Sequence, residues 1–390
     1  MLLLALSQTA LAGYVVSVGD EIEMEPWGTF HRTAPNGDDG WLYMIGTGGN
    51  WGVDETDNDH VRGAGEIETV VPDFDQMVDR AIARCPDKGW LLAASGSVDQ
   101  ANDTLWTWRF DEDWQLLTAE TLVDAEKGVA TNDMALVCST FYTGVGVAEM
   151  GGQGGPVTRM YELDGSGNFV GTKSIQNLPS VQGAAFIADE DSKRILMSGV
   201  DLFGGEGLRF VWLDENLDID EEHEATVVGT PNNARVYWPQ GLMAVGDLFL
   251  VVHMARDESA GWASDEGNVY LQIYDQDFNS LEGRQISQYE GPEGSMRPGV
   301  SRRGETLAIS WDAQNKPIVV DVELDLSGAH VPGDSGDPVE MPDDTGPGSD
   351  GDDTGDGEVP IDGPCGCAAG GGLAGAWVLG LVALWSRRRR

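Results

Sequence analysis

The strongest constraint on the fold is a repeated unit that runs from about residue 14 to residue 331. One half of this unit is an apolar stretch, a polar turn and a strongly apolar strand, and its six copies begin at Ala34, Ala83, Val129, Phe186, Met243 and Val300. Successive units are spaced by roughly 46 to 61 residues, the length of four short antiparallel strands with their loops. Such a unit is too small to bury its own faces, so it must pack on its neighbours.

The other half of the unit is an alternating strand that ends in Asp and continues through a short turn into a second strand. Its copies end at Asp111, Asp164, Asp214 and Asp275. Period-two alternation followed by turn-forming residues is typical of a hairpin, in which the Asp accepts hydrogen bonds from its own turn. The pattern therefore predicts an all-β fold over residues 13–332, a six-bladed β-propeller with seven blades as the alternative.

The last blade needs a strand from the other end of the chain. Residues 317–324 form one clear strand, and residues 14–18 form another that has no partner nearby in the sequence. Pairing these two strands would remove both free edges, so we expect them to lie side by side. The stretch around residues 250–281 is also similar to the loose blade repeats of secreted bacterial β-propellers.

The amino end has the pattern of a signal peptide over residues 1–12. An apolar run is followed by Ala10-Leu11-Ala12, a small-x-small motif that predicts cleavage after Ala12. A signal peptide usually begins with positively charged residues, and none precede this run. Either translation starts upstream of Met1 or at another codon, or the run is an ordinary buried strand. Export is the interpretation that agrees with the other end of the chain.

Residues 364–390 contain a Cys-Gly-Cys motif, an uncharged apolar run and a basic end. The charged and cysteine residues are Cys365, Cys367, Arg387, Arg388, Arg389 and Arg390. The 18 residues from 368 to 385 would rise about 27 Å as a helix, enough to cross a bilayer core, with the arginines on the cytoplasmic side. This predicts one C-terminal transmembrane helix.

The order of cysteine motif, short apolar span and terminal arginines closely resembles the MYXO-CTERM sorting signal of myxobacteria and their relatives. The resemblance covers only residues 364–390. It implies that a sorting protease cuts the tail near the cysteines after the export machinery has acted, and that the protein is displayed on the cell surface, at the outer membrane.

The chain is strongly acidic, with a formal net charge of -43 and an isoelectric point near 4.1. Nucleic acid is excluded as a partner, because binding phosphates requires clustered Lys and Arg. Residues 333–363 form a linker in which residues 333–358 hold ten Asp or Glu and no Lys or Arg. With no aromatic residue to bury, this linker is predicted to be a disordered acidic spacer.

Metal and cofactor sites are weakly indicated. The run from Asp350 to Glu358 has the alternating carboxylates of a calcium loop, but Ile361 stands where such a loop needs its last carboxylate. A charged spacer is the preferred interpretation, with weak calcium association as the alternative. The five histidines are scattered without ligand spacing, so no metal site and no cofactor are predicted.

Two cysteines lie within the repeats. Cys85 and Cys138 form either a disulfide in an oxidising compartment or two buried thiols, and spacing alone does not decide between these alternatives.

Candidate binding residues are aromatic and basic. Most tryptophans are expected to pack between blades, but Trp51, Trp238 and Trp262 have glycine or proline neighbours typical of loops, where binding residues concentrate. The arginines that would suit an axial pocket are Arg62, Arg235, Arg256, Arg297 and Arg302.

The sequence predicts an exported, surface-anchored propeller that acts as a binding or adhesion module for an unknown glycan or protein. No catalytic residues are assigned, because no nucleophile with its base and orienting group is recognisable. The alternative is a secreted hydrolase or lyase that acts on polysaccharide at the propeller axis. A purely structural envelope protein is the third hypothesis, and the fold does not choose among them.

Overall fold

The computed structural model describes residues 13–24, 32–35, 40–47, 50–67, 76–87, 89–97, 103–121, 130–150, 157–179, 181–201, 207–231, 234–257, 267–289, 295–313 and 316–327. All of them belong to one compact unit that ends at Gly336.

These residues form strands β1 to β25 and no helices. The amino end supplies β1 (Val15–Val18) and β2 (Ile22–Glu23). Blade 1 contains β3 (Arg32–Pro35), β4 (Trp41–Thr47), β5 (Asn50–Thr56) and β6 (Arg62–Ile67). Blade 2 contains β7 (Gln76–Arg84), β8 (Trp90–Ser97), β9 (Asp103–Phe110) and β10 (Leu116–Thr121). Blade 3 contains β11 (Ala130–Cys138), β12 (Thr143–Met150), β13 (Val157–Leu163) and β14 (Phe169–Pro179).

The second half of the chain repeats this arrangement. Blade 4 contains β15 (Val181–Asp189), β16 (Arg194–Asp201), β17 (Gly207–Leu213) and β18 (Ile219–Thr226). Blade 5 contains β19 (Ala234–Val245), β20 (Leu248–Asp257), β21 (Asn268–Tyr274) and β22 (Ser280–Gln285). Blade 6 contains β23 (Ser295–Arg303), β24 (Thr306–Ala313) and β25 (Lys316–Leu324). The predicted all-β, six-bladed propeller is confirmed.

The first strand of each blade faces the axis. These inner strands, β3, β7, β11, β15, β19 and β23, contact one another in succession, and β23 contacts β3 again, so they form a closed ring. The six buried apolar clusters lie between successive blades, including the pair of blade 6 and blade 1. Burial between blades, rather than within one blade, therefore holds the fold together.

The propeller is closed by strands from both ends of the chain, as the sequence predicts. The strand β1 pairs antiparallel with β25, with Val15 opposite Leu324 and Val18 opposite Val322. The adjoining β2 also pairs with β25. Blade 6 therefore takes its outermost strand from the amino end, and β25 is not left as a free edge.

The Asp turns adopt the predicted hydrogen bonds. At Asp111, Asp164, Asp214 and Asp275, the Oδ1 atom accepts the backbone N–H groups two and four residues later, at 2.8–3.0 Å. Asp57 makes the same turn between β5 and β6, a fifth copy that the repeat pattern did not reveal.

The fourth residue of each Asp turn has a positive φ and points between blades. These residues are His60, Trp114, Gly167, Leu217 and Phe278, with φ between 59° and 89°. Phe278 stacks on Phe210 of blade 4 with ring centroids 4.5 Å apart, and Leu217 is buried against blade 3. Four of the five Asp turns therefore fix a side chain that packs against the preceding blade, and at the fifth the backbone of Gly167 itself lies close to Arg109 of blade 2.

Candidate functional site

The two ends of the propeller differ in construction. At the turn end, where the inner strands finish, short turns such as residues 139–142 and 246–247 lead to the second strands. The Asp turns lie at the same end. At the opposite entry end, where the inner strands begin, five of them carry β-bulges. The register shifts lie at Met77–Asp79, Thr131–Met134, Gln182–Ala185, Tyr237–Gly241 and Met296–Gly299.

Two bulges hold bulky residues in an unfavourable backbone conformation. Trp238 has a φ of 44° and Arg297 a φ of 50°. Trp238 lies in the bulge of blade 5 and Arg297 in the bulge of blade 6, and each is followed by a proline. The left-handed region is costly for such residues, and bulges commonly redirect side chains near functional sites. Strain of about 1–3 kcal/mol per residue persists only where the surrounding structure enforces it. The entry end near Trp238 and Arg297 is therefore the candidate functional site.

Guanidinium groups lie over aromatic rings at this site. The Arg297 guanidinium carbon is 5.9 Å from the centroid of the Trp238 ring, and that of Arg256 is 3.8 Å from the Tyr237 ring. Arg235 lies opposite Arg256 in the register of β19 and β20. Positive charge and aromatic faces are thus concentrated near the axis of a protein that is acidic overall.

Buried polar groups hold the bulged backbone. The Asp79 carboxylate accepts the N–H of Arg80 through Oδ1 and the N–H of Met134, in the next blade, through Oδ2, both at 2.8 Å. The Ser198 hydroxyl donates to the carbonyl oxygen of Pro239 at 3.3 Å. These bonds join blades 2 and 3 and blades 4 and 5 at the level of the bulges, and the second of them holds the backbone directly after Trp238.

His253 lies directly beneath the bulge that contains Trp238. In the pairing of β19 with β20, Tyr237 lies opposite Met254 and Gly241 lies opposite Val252. The bulge between Tyr237 and Gly241 therefore lies opposite His253. The imidazole is fully buried and stacks on Tyr270 with ring centroids 5.8 Å apart. Burial disfavours the charged form and lowers the pKa of His253 to about 4.

We expect His253 to make the fold sensitive to acid. The unfolded chain binds its proton near pH 6.5, whereas the folded chain binds it near pH 4, so the unfolded state binds more protons between these values. The free energy of unfolding should therefore fall by about 3 kcal/mol as the pH decreases through this window.

The variant His253→Phe keeps a flat ring and removes this titration. Urea unfolding of the full-length protein at intervals from pH 7 to pH 4 should show a shallower acid loss for His253→Phe than for wild type. His223→Gln, in the mostly exposed outer strand β18, is the matched control: it keeps His253, so its acid loss should stay steeper than that of His253→Phe. Parallel curves for His253→Phe and wild type would contradict the assignment.

A second polar cluster lies at the junction of blades 1 and 6. His60 hydrogen-bonds through Nε2 to Asp321 Oδ1 at 2.8 Å and through Nδ1 to the Tyr43 hydroxyl at 2.5 Å. Burial raises the pKa of Tyr43 well above its usual value, so the phenol stays protonated and shares its hydrogen bond with Nδ1. Because Tyr43 and His60 are buried, this relay joins two blades rather than facing a ligand.

The tryptophans singled out by the sequence have different surroundings. Trp238 lies in the inner strand β19 and is partly buried, and Trp51 lies in β5, so both belong to strands and the prediction of loop settings is wrong for them. Glycine and proline mark a bulge at Trp238 rather than a loop. The side chain of Trp51 and all of Trp262 lie outside the described residues.

The arginine candidates are also divided between the two ends. Arg235, Arg256 and Arg297 come together at the entry end, whereas Arg302 lies at the turn end and Arg62 begins the outer strand β6.

Cys85 and Cys138 are joined in a disulfide, with their Cα atoms 5.0 Å apart. Of the two alternatives left open by the sequence, the structure has the bridge.

Several predictions fall outside the described residues. These are the signal peptide with Ala12, the acidic linker, Cys365, Cys367, the apolar span and Arg387 to Arg390. In the described ranges, no helix is long and apolar enough to span a membrane. Within the same residues, no three or more His, Cys, Asp or Glu side chains gather as metal ligands would.

The site was only partly visible in the sequence. Its signal is a proline that follows a bulky residue and precedes a glycine within an inner strand, as in Trp238-Pro-Gln-Gly241 and Arg297-Pro-Gly299. Proline inside an apparent strand indicates a bulge. The contribution of Asp79 and His253 had no such local signal, because both act through residues distant in the sequence.

Solved structures that are similar to this chain have low sequence identity to it. No family model matches the chain, and no curated protein matches it. Among solved structures it is similar to a subtype N10 neuraminidase-like protein of A/little yellow-shouldered bat/Guatemala, with 11% identity, 80% of this chain and 99% of that chain covered, and a TM-score of 0.48. A neuraminidase-like protein from A/bat/Guatemala matches with 10% identity, 80% and 96% coverage and a TM-score of 0.48.

Proposed function

We propose that this chain is an exported, cell-surface-anchored propeller that binds a glycan or protein ligand at the entry end of its axis. The observation that carries the proposal is the pair of strained bulges that present Trp238 and Arg297 from adjacent inner strands. Neither residue follows the Asp-turn pattern that accounts for five other positive φ values in the protein. Strained residues of this kind cluster at active sites and ligand clamps, where the surrounding structure enforces the conformation.

The chemistry of the site suggests the kind of ligand. An indole face packs on the apolar face of a sugar or on a peptide side chain, and a guanidinium binds carboxylate or sulfate groups in a fixed geometry. Trp238 and Arg297 are both partly buried, so each keeps accessible surface. An acidic polysaccharide or an acidic peptide segment would satisfy both residues.

Export and anchoring are part of the same proposal. They are supported by the signal-like residues 1–12 and by the resemblance of residues 364–390 to a MYXO-CTERM tail. The disulfide between Cys85 and Cys138 is consistent with them, because disulfides persist in oxidising compartments.

A hydrolase or lyase that acts on polysaccharide is the alternative, and one observation favours it. Asp312 is buried and lies opposite Met296, the residue before Arg297, so a carboxylate stands close to the candidate site. The other buried carboxylate of this layer, Asp79, is engaged by two backbone N–H groups. A glycosidase needs two carboxyl groups that flank the bond it cleaves. Because the Asp79 carboxylate has a structural role, such a pair is not supported here, and we favour the binding module.

The test is binding of the full-length protein to arrays of acidic and neutral polysaccharides and peptides. For the best ligand, Trp238→Ala and Arg297→Gln should each weaken binding at least about tenfold, which corresponds to about 1.4 kcal/mol. Arg194→Gln is the matched control, because Arg194 also lies over a tryptophan, Trp212 at 4.4 Å, but on a strand that begins at the turn end. Its binding should equal that of wild type.

Two results would overturn the proposal. Equal binding by wild type and both entry-end variants would place the ligand elsewhere. Release of new reducing ends or unsaturated products from a polysaccharide, lost in Asp312→Asn, would identify the enzyme instead.

A further inference from the structure

The amino-terminal strand β1 is held by blade 5 as well as by blade 6. The backbone N–H of Val15 donates to Glu282 Oε2 at 3.3 Å, and Glu282 belongs to β22, the outermost strand of blade 5. On the other side, the Tyr14 carbonyl accepts the N–H of Asp325 at 2.8 Å, directly after β25 of blade 6. Residues 14 and 15 therefore bridge the outer edges of two blades.

The Glu282 carboxylate also lies against the Cα atom of Gly13. A side-chain carbon placed on Gly13 would be 2.9 Å from Oε2 and 3.0 Å from Oε1. Val15 uses Oε2, whereas Oε1 accepts no hydrogen bond and Glu282 forms no ion pair within the described residues. The Glu282 residue is half-buried. A carboxylate without a cation thus faces the residue that follows Ala12, where cleavage of the leader is predicted.

We propose that cleavage after Ala12 creates a further contact that closes the propeller, an ion pair between the new α-ammonium group of Gly13 and the Glu282 carboxylate. In the uncut chain the Gly13 nitrogen is an uncharged amide. A leader peptidase hydrolyses the Ala12–Gly13 bond, so that water supplies OH to the Ala12 carbonyl carbon and H to the Gly13 nitrogen. The new amine takes up a proton from solvent below its pKa of about 8. This inference rests on the proposed export, which supplies the cleavage.

The backbone at Gly13 suits this pair. The Gly13 nitrogen is bonded to the Cα at about 1.46 Å, and after cleavage no residue precedes it. Rotation about the Cα–C bond, which glycine permits widely, then brings the ammonium group to the carboxylate. Ion pairs that are partly exposed contribute modestly, so the pair reinforces the pairing of β1 with β25 and does not replace it. Its effect is to make the cleaved chain more stable than the uncut one.

The first experiment measures the reactivity of the Gly13 amine. A chain that begins at Gly13 and ends at Arg390 is released from a cleavable carrier and treated with acetic anhydride near pH 7, and mass spectrometry follows the peptide that begins at Gly13. Only the uncharged amine reacts, so the ion pair should slow acetylation at least about threefold in wild type relative to Glu282→Gln. Glutamine keeps an oxygen for the N–H of Val15.

Glu221→Gln is the matched control. Glu221 occupies the same position in blade 4 as Glu282 does in blade 5, because each is the seventh residue after its turn aspartate, Asp214 or Asp275. Glu221 lies in another blade from β1, so the Gly13 amine of this variant should be acetylated at the wild-type rate.

Thermal unfolding measures the consequence of the pair. At pH 7, the chain with a free Gly13 amine should have a higher unfolding midpoint than the same chain acetylated at Gly13, and this difference should vanish in Glu282→Gln. Pairing raises the pKa of the amine in the folded state. Its stabilisation is therefore present below the unfolded pKa of about 8 and is lost as the pH rises through the folded pKa, by about pH 9–10.

The amino-terminal sequence of the full chain after export from a bacterial host separates this inference from the export on which it rests. A new end at Gly13, together with slower acetylation in wild type, supports both. Equal acetylation rates in wild type and Glu282→Gln would overturn the ion pair and leave export standing. An uncut chain, or a new end at another residue, would overturn both.

Discussion

Removal of residues 13–24 is expected to abolish the cooperative unfolding transition of the propeller, whereas removal of residues 1–12 alone should preserve it. The deleted segment contains β1 and β2, which pair with β25. Its apolar side chains Tyr14, Val15, Val18, Ile22 and Met24 pack on the clusters of blade 6 and of the blade 1 junction. At roughly 1 kcal/mol for each partly buried side chain, their loss removes about 5 kcal/mol, comparable to the net stability of many domains.

A pair of point variants separates closure from a general effect of truncation. Val18 packs on the core and pairs with Val322, whereas the side chain of Val16 is 65% exposed. Val18→Asp should strongly lower the midpoint of thermal unfolding, and Val16→Asp should leave it nearly unchanged. Equal midpoints for the two variants, or a cooperative transition after removal of residues 13–24, would show that β1 does not close the propeller.

Loss of the disulfide should lower the free energy of unfolding by about 4 kcal/mol. The bridge joins Cys85 and Cys138, which are 53 residues apart and lie at the ends of neighbouring inner strands. A cross-link over a loop of this length restricts the unfolded chain by about that amount in the chain-entropy model. The double variant Cys85→Ala, Cys138→Ala avoids an unpaired thiol, and denaturant unfolding measures the difference.

The same comparison in a reducing buffer is the control for the disulfide. The double variant should be indifferent to reductant, and wild type should lose stability until it approaches the variant. A difference below about 1 kcal/mol between oxidised wild type and variant would contradict the role of the bridge.

The blades were predictable because their signals are local. Period-two alternation and the Asp turns at Asp111, Asp164, Asp214 and Asp275 specify hairpins over short stretches of sequence. Closure was predictable for a different reason, since one unpaired strand at each end left a single way to complete the last blade.

The candidate site was less predictable because it depends on distant residues. Trp238 was selected for its glycine and proline neighbours, but its position in an inner-strand bulge follows from pairing with β20. The burial of His253 and the bond from Met134 to Asp79 require the neighbouring strands to be in place. Asp57 was missed because its turn lies between strands with weak alternation, of sequence Asn-Trp-Gly-Val-Asp-Glu-Thr and Arg-Gly-Ala-Gly-Glu-Ile.

Oxidative footprinting of the full-length protein with and without its best polysaccharide or peptide ligand tests the proposed binding site most directly. Hydroxyl radicals report the exposure of each side chain, and Trp238 and Trp114 are both partly buried, at the entry end and the turn end respectively. We predict that the ligand lowers the oxidation of Trp238 at least several-fold and leaves Trp114 unchanged. Unchanged oxidation of Trp238 under saturating ligand would contradict a binding site at the entry end of the axis.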